Sequence, residues 1–560
     1  MTNEVVIKKD KTLQFISRFA THKNRWYALV IIALGLAIVI IDNTILNVSI
    51  PYILRDLDST FSEIQWAISG YALTIAAILI TVGRVGDLVG RKKMFLTGII
   101  IFAIGSLIAS ISTDATILIF GRAIIQAVGA AIMLTSALAL LASEFHGKER
   151  AIAFGIWGAI AGASATVGPL LGGYLTTYFS WRWSLRINVI VAIIAITGSL
   201  FIIESKGEQE KHFDWLGTIL SSAGLFSLVF AFIEGKTFGW LTPKESFSLL
   251  GMSWPFATIS VIPFFFIAAI ILLLAFAIHE KHFEKKGGCP ILSTSLFTQR
   301  GFVIGALMLA FLAFSLFSVF FNLPLYIENV LGFDAFSTGI VFLSATIPIF
   351  IMASITGFLV SKIKIKWIVI TGMILLVLGI FFLIPSITIT ATDLSLTPSL
   401  ILFGIGFGLC SAQLNNIIIS SAPLSVAGEA AATSIIMRQI GSAIGIAVIG
   451  SIIASTLVTN MTLNIQADTS IPDVEKPTII KDIQKIDVES GQIMISNHTT
   501  PSLEKMIKND VDRALVTSTK TAMQTVLYFL IGVTILSLFL PSEIREEIPN
   551  ERQENNIRKK

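Results

Sequence analysis

The stretch WYALVIIALGLAIVIIDNTILNVSIP, Trp26 to Pro51, holds no charged side chain before Asp42. As a helix rising 1.5 Å per residue, such a run crosses a hydrocarbon core of about 30 Å. Runs of this kind recur along the chain. Of its 560 residues, 54% are hydrophobic and only 14% charged, with a mean hydropathy of +0.82. A water-facing surface needs about 25% charged residues, so the chain reads as an all-α polytopic membrane protein.

The charges that exist are gathered outside the apolar runs: 33 of the 76 lie in residues 1–25, 457–518 and 541–560. A net charge of +4 spread over loops forms no basic stripe, which excludes a nucleic-acid partner. Two cysteines and six scattered histidines supply neither a disulfide framework nor metal-ligand spacing, so no metal site and no cofactor is expected. No GxxxxGK[ST] loop and no nucleophile–base cluster is present, and the chain does not read as an enzyme. No obligate protein partner is evident.

Fourteen spans are expected, among them 26–48, 256–279, 429–456 and 521–540. With the N-terminus in the cytoplasm, the inner segments carry 26 Lys and Arg and the short outer loops 5, which sets the orientation. Both termini, 1–25 and 541–560, are then cytoplasmic, and 457–518 is an outer loop whose stretch from Ser502 to Thr521 leads into the last span as a helix. GRVGDLVGRKKMF after span two has a weaker echo in GFLVSKIKIKW after span ten. A parallel repeat accounts for both, giving a bundle over 26–204, an inserted pair over 214–279 and a second bundle over 302–540.

Ionisable groups inside spans cost several kcal/mol and persist with a partner or a task. Asp42 stands about 24 Å along span one from Trp26, toward the outer half. It is a candidate proton carrier, with an interhelical hydrogen bond as the structural alternative. Arg122 in ILIFGRAIIQAVGAAIM cannot discharge itself and must meet a carboxylate, carbonyls or water; Gln126 lies one turn on. In GASATVGPLLGGYL, Gly168, Pro169, Gly172 and Gly173 permit a kink and close backbone contact. In the GRVGDLVGRKK loop, Asp87 is placed to meet Arg91 or a helix N-terminus, a latch that bundle rotation can exchange. Asn47, Gln413, Asn416, Glu328, Glu429 and Arg438 are candidate cavity or gate residues.

These motifs together resemble the major facilitator superfamily, in its fourteen-span drug:proton antiporter branch. Gly83, Asp87, Gly90, Arg91 and Lys92 match the cytoplasmic signature GxLaDrxGrkxxl, with Val85 and Leu88 departing mildly. Asp42, Thr44, Asn47 and Pro51 match lDxTivNvAlP; RAIIQAVGAA resembles RxxQGxGaa through Arg122, Gln126 and Gly129, with one extra residue between Arg122 and Gln126 and Ala127 in place of a glycine. GPLLGG at Gly168 to Gly173 resembles the exporter element, and WRWSLRINVI resembles WRWxFxINvP but carries Arg186 and lacks the last proline. AGEAAATSIIMRQIGSAIG also resembles this branch. The resemblance implies two six-helix bundles plus two inserted helices in a prokaryotic cytoplasmic membrane. It implies proton-coupled, alternating-access efflux of lipophilic, preferentially cationic drugs, with protons, a small-molecule substrate and the bilayer as partners. Asp42, Arg122 and Gln126 would couple protons to substrate. A lipid or metabolite exporter of the same fold is the alternative, and a membrane sensor without transport a remote one.

Overall fold

The computed structural model describes residues 25–145, 167–205, 214–286, 292–422, 427–467 and 501–541, omitting 236, 245–246, 250–251, 257 and 361, together with positions 153, 160, 164 and 476. Helices dominate: α1 (Arg25–Ile45), α2 (Ile50–Asp56), α3 (Phe61–Val89), α4 (Arg91–Ser110), α5 (Ala115–Ile119), α6 (Ala127–Glu144), α7 (Trp181–Gly198), α8 (Trp215–Glu234) and α9 (Ile262–Lys285). The series continues with α10 (Arg300–Asn329), α11 (Ala335–Leu359), α12 (Ile365–Ser386), α13 (Asp393–Ser420), α14 (Ala427–Ala467) and α15 (Pro501–Ser537). Residues 167–178 are helical as well. Twelve of the described spans are long and apolar enough to cross a membrane, and α3 adds a shorter apolar run over Glu63–Leu79. Among the described residues the exception to helix and turn is a ribbon of two residues per strand, Ser248–Leu249 against Met252–Ser253.

Local chemistry sets many of the turns. Thr60 and Glu63 form a capping box at the start of α3, and Asp114, Asp214 and Asp334 accept backbone N–H groups at the starts of α5, α8 and α11. These caps satisfy donors that the bilayer boundary would otherwise leave bare.

Three expected boundaries move. Span one is not a single helix to residue 48: it breaks after Ile45 into a 3₁₀ turn, Asn47–Ser49, and resumes as α2. Pro51 lacks the N–H that a continuous helix needs and sits in the first turn of α2, where that loss is harmless. Span eight runs Ile262–Lys285, not 256–279, because Pro263 starts the helix and the polar residues after His279 continue it. The segment 457–518 is not all solvated loop. Helix α14 extends to Ala467 and α15 begins at Pro501, where Met461, Ile465, Ala514 and Leu515 form one apolar contact and Asn464 donates to the Asp510 carbonyl at 3.1 Å.

Two apolar cores, one around Phe95 and Phe102 and one around Ile45 and Trp181, draw chiefly on residues 28–202 and also take in Ile436, Ile440 and Ile446 of α14; another around Phe320, Phe342 and Phe403 draws chiefly on residues 296–540. Helix α8 lies across α3 and α14 and so touches both groups, while α9 packs chiefly on α8. Only 11% of the apolar window of α9 is buried, as expected of a helix facing lipid.

At the end of the molecule marked by Asp56, the two groups meet. Arg55 donates to Asn329 Oδ1 at 3.2 Å, the Phe336 N–H donates to Thr177 Oγ1 at 3.1 Å, and Tyr52 reaches the Ala335 backbone. The basic-residue count assigns this end to the outside.

Candidate functional site

Asp42 lies in the last turn of α1, and four donors converge on it. Its Oδ2 accepts from Arg122 Nη1 at 2.8 Å, and its Oδ1 accepts from Gln126 Nε2 at 2.8 Å and Asn188 Nδ2 at 2.6 Å. Arg122 Nη2 also donates to the Asp42 carbonyl at 3.0 Å. Ser106 Oγ closes the ring by accepting from Gln126 at 2.7 Å and Asn188 at 2.9 Å. The Arg122 guanidinium lies 4.8 Å from the centre of the Tyr71 ring. Relative exposures are 0% for Asp42 and 1% for Arg122, so the pair is sealed from water.

The backbone has been shaped to allow this. Phe120–Gln126 is a π-helical turn between α5 and α6, widening the helix where Arg122 and Gln126 project. Helix α4 passes so close that a Cβ on Gly105 would lie 2.3 Å from the Gln126 nitrogen, and one on Gly129 would lie 2.3 Å from the Phe102 nitrogen. Glycine is therefore needed at both positions for the helices to touch. The network joins α1, α4, the π turn and α7, with Tyr71 of α3 as its lid.

Of the expected site residues, Asp42, Arg122 and Gln126 come together. Ser106, Asn188 and Tyr71 join them although no ionisable group marked them; Asn188 stood in the WRW motif, and its amide in an apolar run was the available signal. Ser49, beyond the break in the first span, bonds Thr176 at 2.6 Å. Asn47 lies in the 3₁₀ turn, buried, with neither amide atom paired among the described residues; Asn322 of α10 is likewise buried and without a partner among them. The Oε1 of buried Gln413 has no partner either.

The glycine element of residues 167–178 touches both helix groups. A Cβ on Gly168 would meet Thr44 Oγ1 at 1.9 Å and one on Gly172 the Ile45 carbonyl at 2.1 Å, while one on Gly173 would meet the Ala335 carbonyl at 2.3 Å. On the facing helix, a Cβ on Gly339 would lie 2.7 Å from the Pro169 carbonyl.

At the opposite end, Gly90 turns between α3 and α4 with φ +122°, a left-handed geometry suited to glycine. Glu204 accepts the Lys92 and Lys93 N–H groups at 3.0 and 3.2 Å, capping α4 where its dipole is positive. Arg91 donates to the Ala139 carbonyl at 3.3 Å and Lys92 Nζ to the Ile202 carbonyl at 2.7 Å. The side chain of Asp87, and with it the expected contact to Arg91, lies outside the described residues; Gly83 packs toward Thr135. Glu429 accepts the Ser293 N–H at 2.6 Å, tying the start of α14 to the segment before α10. Asn416 is exposed and accepts from Ser420 at 3.0 Å. Glu328 is buried beside Thr338, with Arg55 nearby, in the Asp56-end contact. Arg186 stacks on exposed Trp183 at 5.4 Å, an interfacial placement.

Residues 32–446 match the family model of the Major Facilitator Superfamily. The chain belongs to that superfamily. It is a transporter and not an enzyme. It is 29% identical over 464 residues to multidrug resistance protein Stp of Mycobacterium tuberculosis, covering 82% of each chain. It is also 29% identical over 437 residues to puromycin resistance protein pur8 of Streptomyces alboniger, covering 76% of this chain and 82% of the relative. Among solved structures, a bacterial homologue of the human lysosomal transporter Spinster in an inward-facing, unoccupied conformation superposes with a TM-score of 0.58. That likeness, at 16% identity over 92% of this chain and 98% of the other, shows the shared fold.

Proposed function

We propose that this transporter exports lipophilic small molecules in exchange for protons, by alternating access in a bacterial cytoplasmic membrane. The observation that carries the reading is the sealed Asp42–Arg122 pair. A carboxylate fully desolvated against a guanidinium is stable only as a charged pair. A proton delivered to Asp42 cancels the attraction and leaves Arg122 as an uncompensated buried cation, a state worth several kcal/mol of strain. That strain is relieved when α1, α4 and α7 shift to admit water or another partner. Proton binding thereby acquires mechanical consequence, and the four elements joined by the network are those that must move.

The bundles 26–204 and 302–540 rock about the glycine contact of residues 168–173, with 214–279 as a strap across them. Contacts at the Asp56 end close the outer side, leaving access from the cytoplasm. The relatives named for multidrug and puromycin resistance support an efflux role. The test is uptake of fluorescent lipophilic compounds into energised everted vesicles. Gradient-driven accumulation that collapses on adding a proton uncoupler is expected, whereas accumulation indifferent to the uncoupler would refute proton exchange.

A further inference from the structure

We infer that Arg438 is the cargo-recognition residue of the central cavity and that the cargo carries an acidic group; this rests on the export reading above. Arg438 lies within the membrane-spanning part of α14 yet keeps an exposed side chain, and a charge exposed at that depth faces a water-filled space and not lipid. It is the one exposed side chain among the described residues from Glu429 to Ala454 of α14. It has no hydrogen-bond or ion-pair partner among the described residues.

The helix wheel shows where that space lies. At about 100° per residue, Gly441 and Gly445 fall about 60° and 20° to one side of Arg438, and Ile446 about 80° to the other. Gly441 and Gly445 abut Ala310 and Phe314 of α10, and Ile446 belongs to an apolar cluster that joins Ile45 and Leu46 of the first span to Phe321 and Leu325 of α10. Arg438 therefore points between α10 and α1, toward the midline of the molecule. It lies about 12 Å before Ile446 along the helix, below the closed contact. Ile436 and Ile440, on the far face of α14, pack into the core around Phe95.

The charge balance of the cavity follows. Asp42 is sealed by Arg122, and Glu328 is buried in the Asp56-end contact. Among the described residues the accessible fixed charge on this wall is thus a cation, which reverses the cationic preference that the family resemblance implies. A guanidinium presents a planar fork of donors that fits a carboxylate or sulfonate with two hydrogen bonds, and the desolvated setting strengthens them. The cargo class is a lipophilic molecule bearing such a group.

Rhodamine B, which has a free carboxylate, and its ethyl ester, which has the same cationic ring system without it, isolate this feature. Uptake of both is measured in proteoliposomes under a proton gradient for wild type, Arg438→Gln and Arg438→Lys. Wild type is expected to prefer the acid. Arg438→Gln should lower kcat/KM for the acid roughly tenfold or more while leaving the ester unchanged, and Arg438→Lys should keep part of the preference. Equal handling of both dyes by wild type, or an acid rate untouched by Arg438→Gln, would overturn the inference with export intact. Should Arg438→Gln move neither dye, Arg438→Lys decides: retained preference supports the assignment and lost preference overturns it. If wild type moves neither dye, the export reading fails and takes this inference with it.

Discussion

Asp42 and Arg122 stand eighty positions apart in the chain, yet Oδ2 and Nη1 lie 2.8 Å from each other with no water-accessible surface worth counting on either side chain. Removing one partner of such a pair strands the other. Arg122→Ala should therefore destabilise the protein by about 3–5 kcal/mol. The double variant Asp42→Asn/Arg122→Gln should recover much of that loss without recovering transport. Thermal unfolding of the detergent-purified variants checks this; a double variant no more stable than Arg122→Ala would refute the pairing argument.

The glycine contact is set by backbone, which cannot rotate aside. Because a Cβ on Gly172 would lie 2.1 Å from the Ile45 carbonyl, Gly172→Val must push residues 167–178 away from α1. Overpacking of this kind costs about 1–3 kcal/mol. The protein should insert normally but transport poorly, as comparison of vesicle uptake with the amount of protein in the membrane would reveal.

Gly90 adopts φ +122°, and a Cβ there would meet the Glu204 carboxyl at 2.9 Å. Gly90→Ala combines backbone strain with displacement of the group that caps α4, for a cost of about 1–3 kcal/mol. Glu204→Ala removes the cap alone and should cost about 1 kcal/mol. Unfolding temperatures of the two variants should fall in that order.

Asp214 stands just before α8. Burial acts to raise its carboxyl, but the Gly217 N–H and His279, 2.8 Å from Oδ1, outweigh it and hold the group below its ordinary range. A depressed folded value gives stability that is fully present above the unfolded value of about 3.9 and is lost as pH falls through the folded one. Stability should drop on acidification below about pH 4, and Asp214→Asn should flatten that slope. Unfolding temperatures between pH 6 and pH 3 provide the check.

Charge rarity made the centre of the site readable. Asp42 and Arg122 stand out because a bilayer tolerates so few ionisable groups, and Gln126 followed at one helical turn. Ser106, Tyr71 and Asn188 did not stand out, since such residues sit in many spans without function and only the folded packing brings α4, α3 and α7 to Asp42. Glu204 was invisible for another reason: it caps a helix that begins more than 110 positions earlier. The break in span one was implicit in Pro51, but the length of α14 was not, because its outer turns are polar on one side and are held by Ala514 and Leu515 across the contact. The direction of Arg438 likewise needed the neighbours of α14 to be known.

The most direct measurement of the central claim is cargo-driven proton movement in proteoliposomes, read with an internal pH-sensitive dye, for wild type and Asp42→Asn. An outward cargo gradient should drive proton entry in wild type and none in Asp42→Asn, while the variant still exchanges labelled cargo for unlabelled cargo across the membrane. Proton movement in Asp42→Asn at the wild-type ratio to cargo would contradict the account.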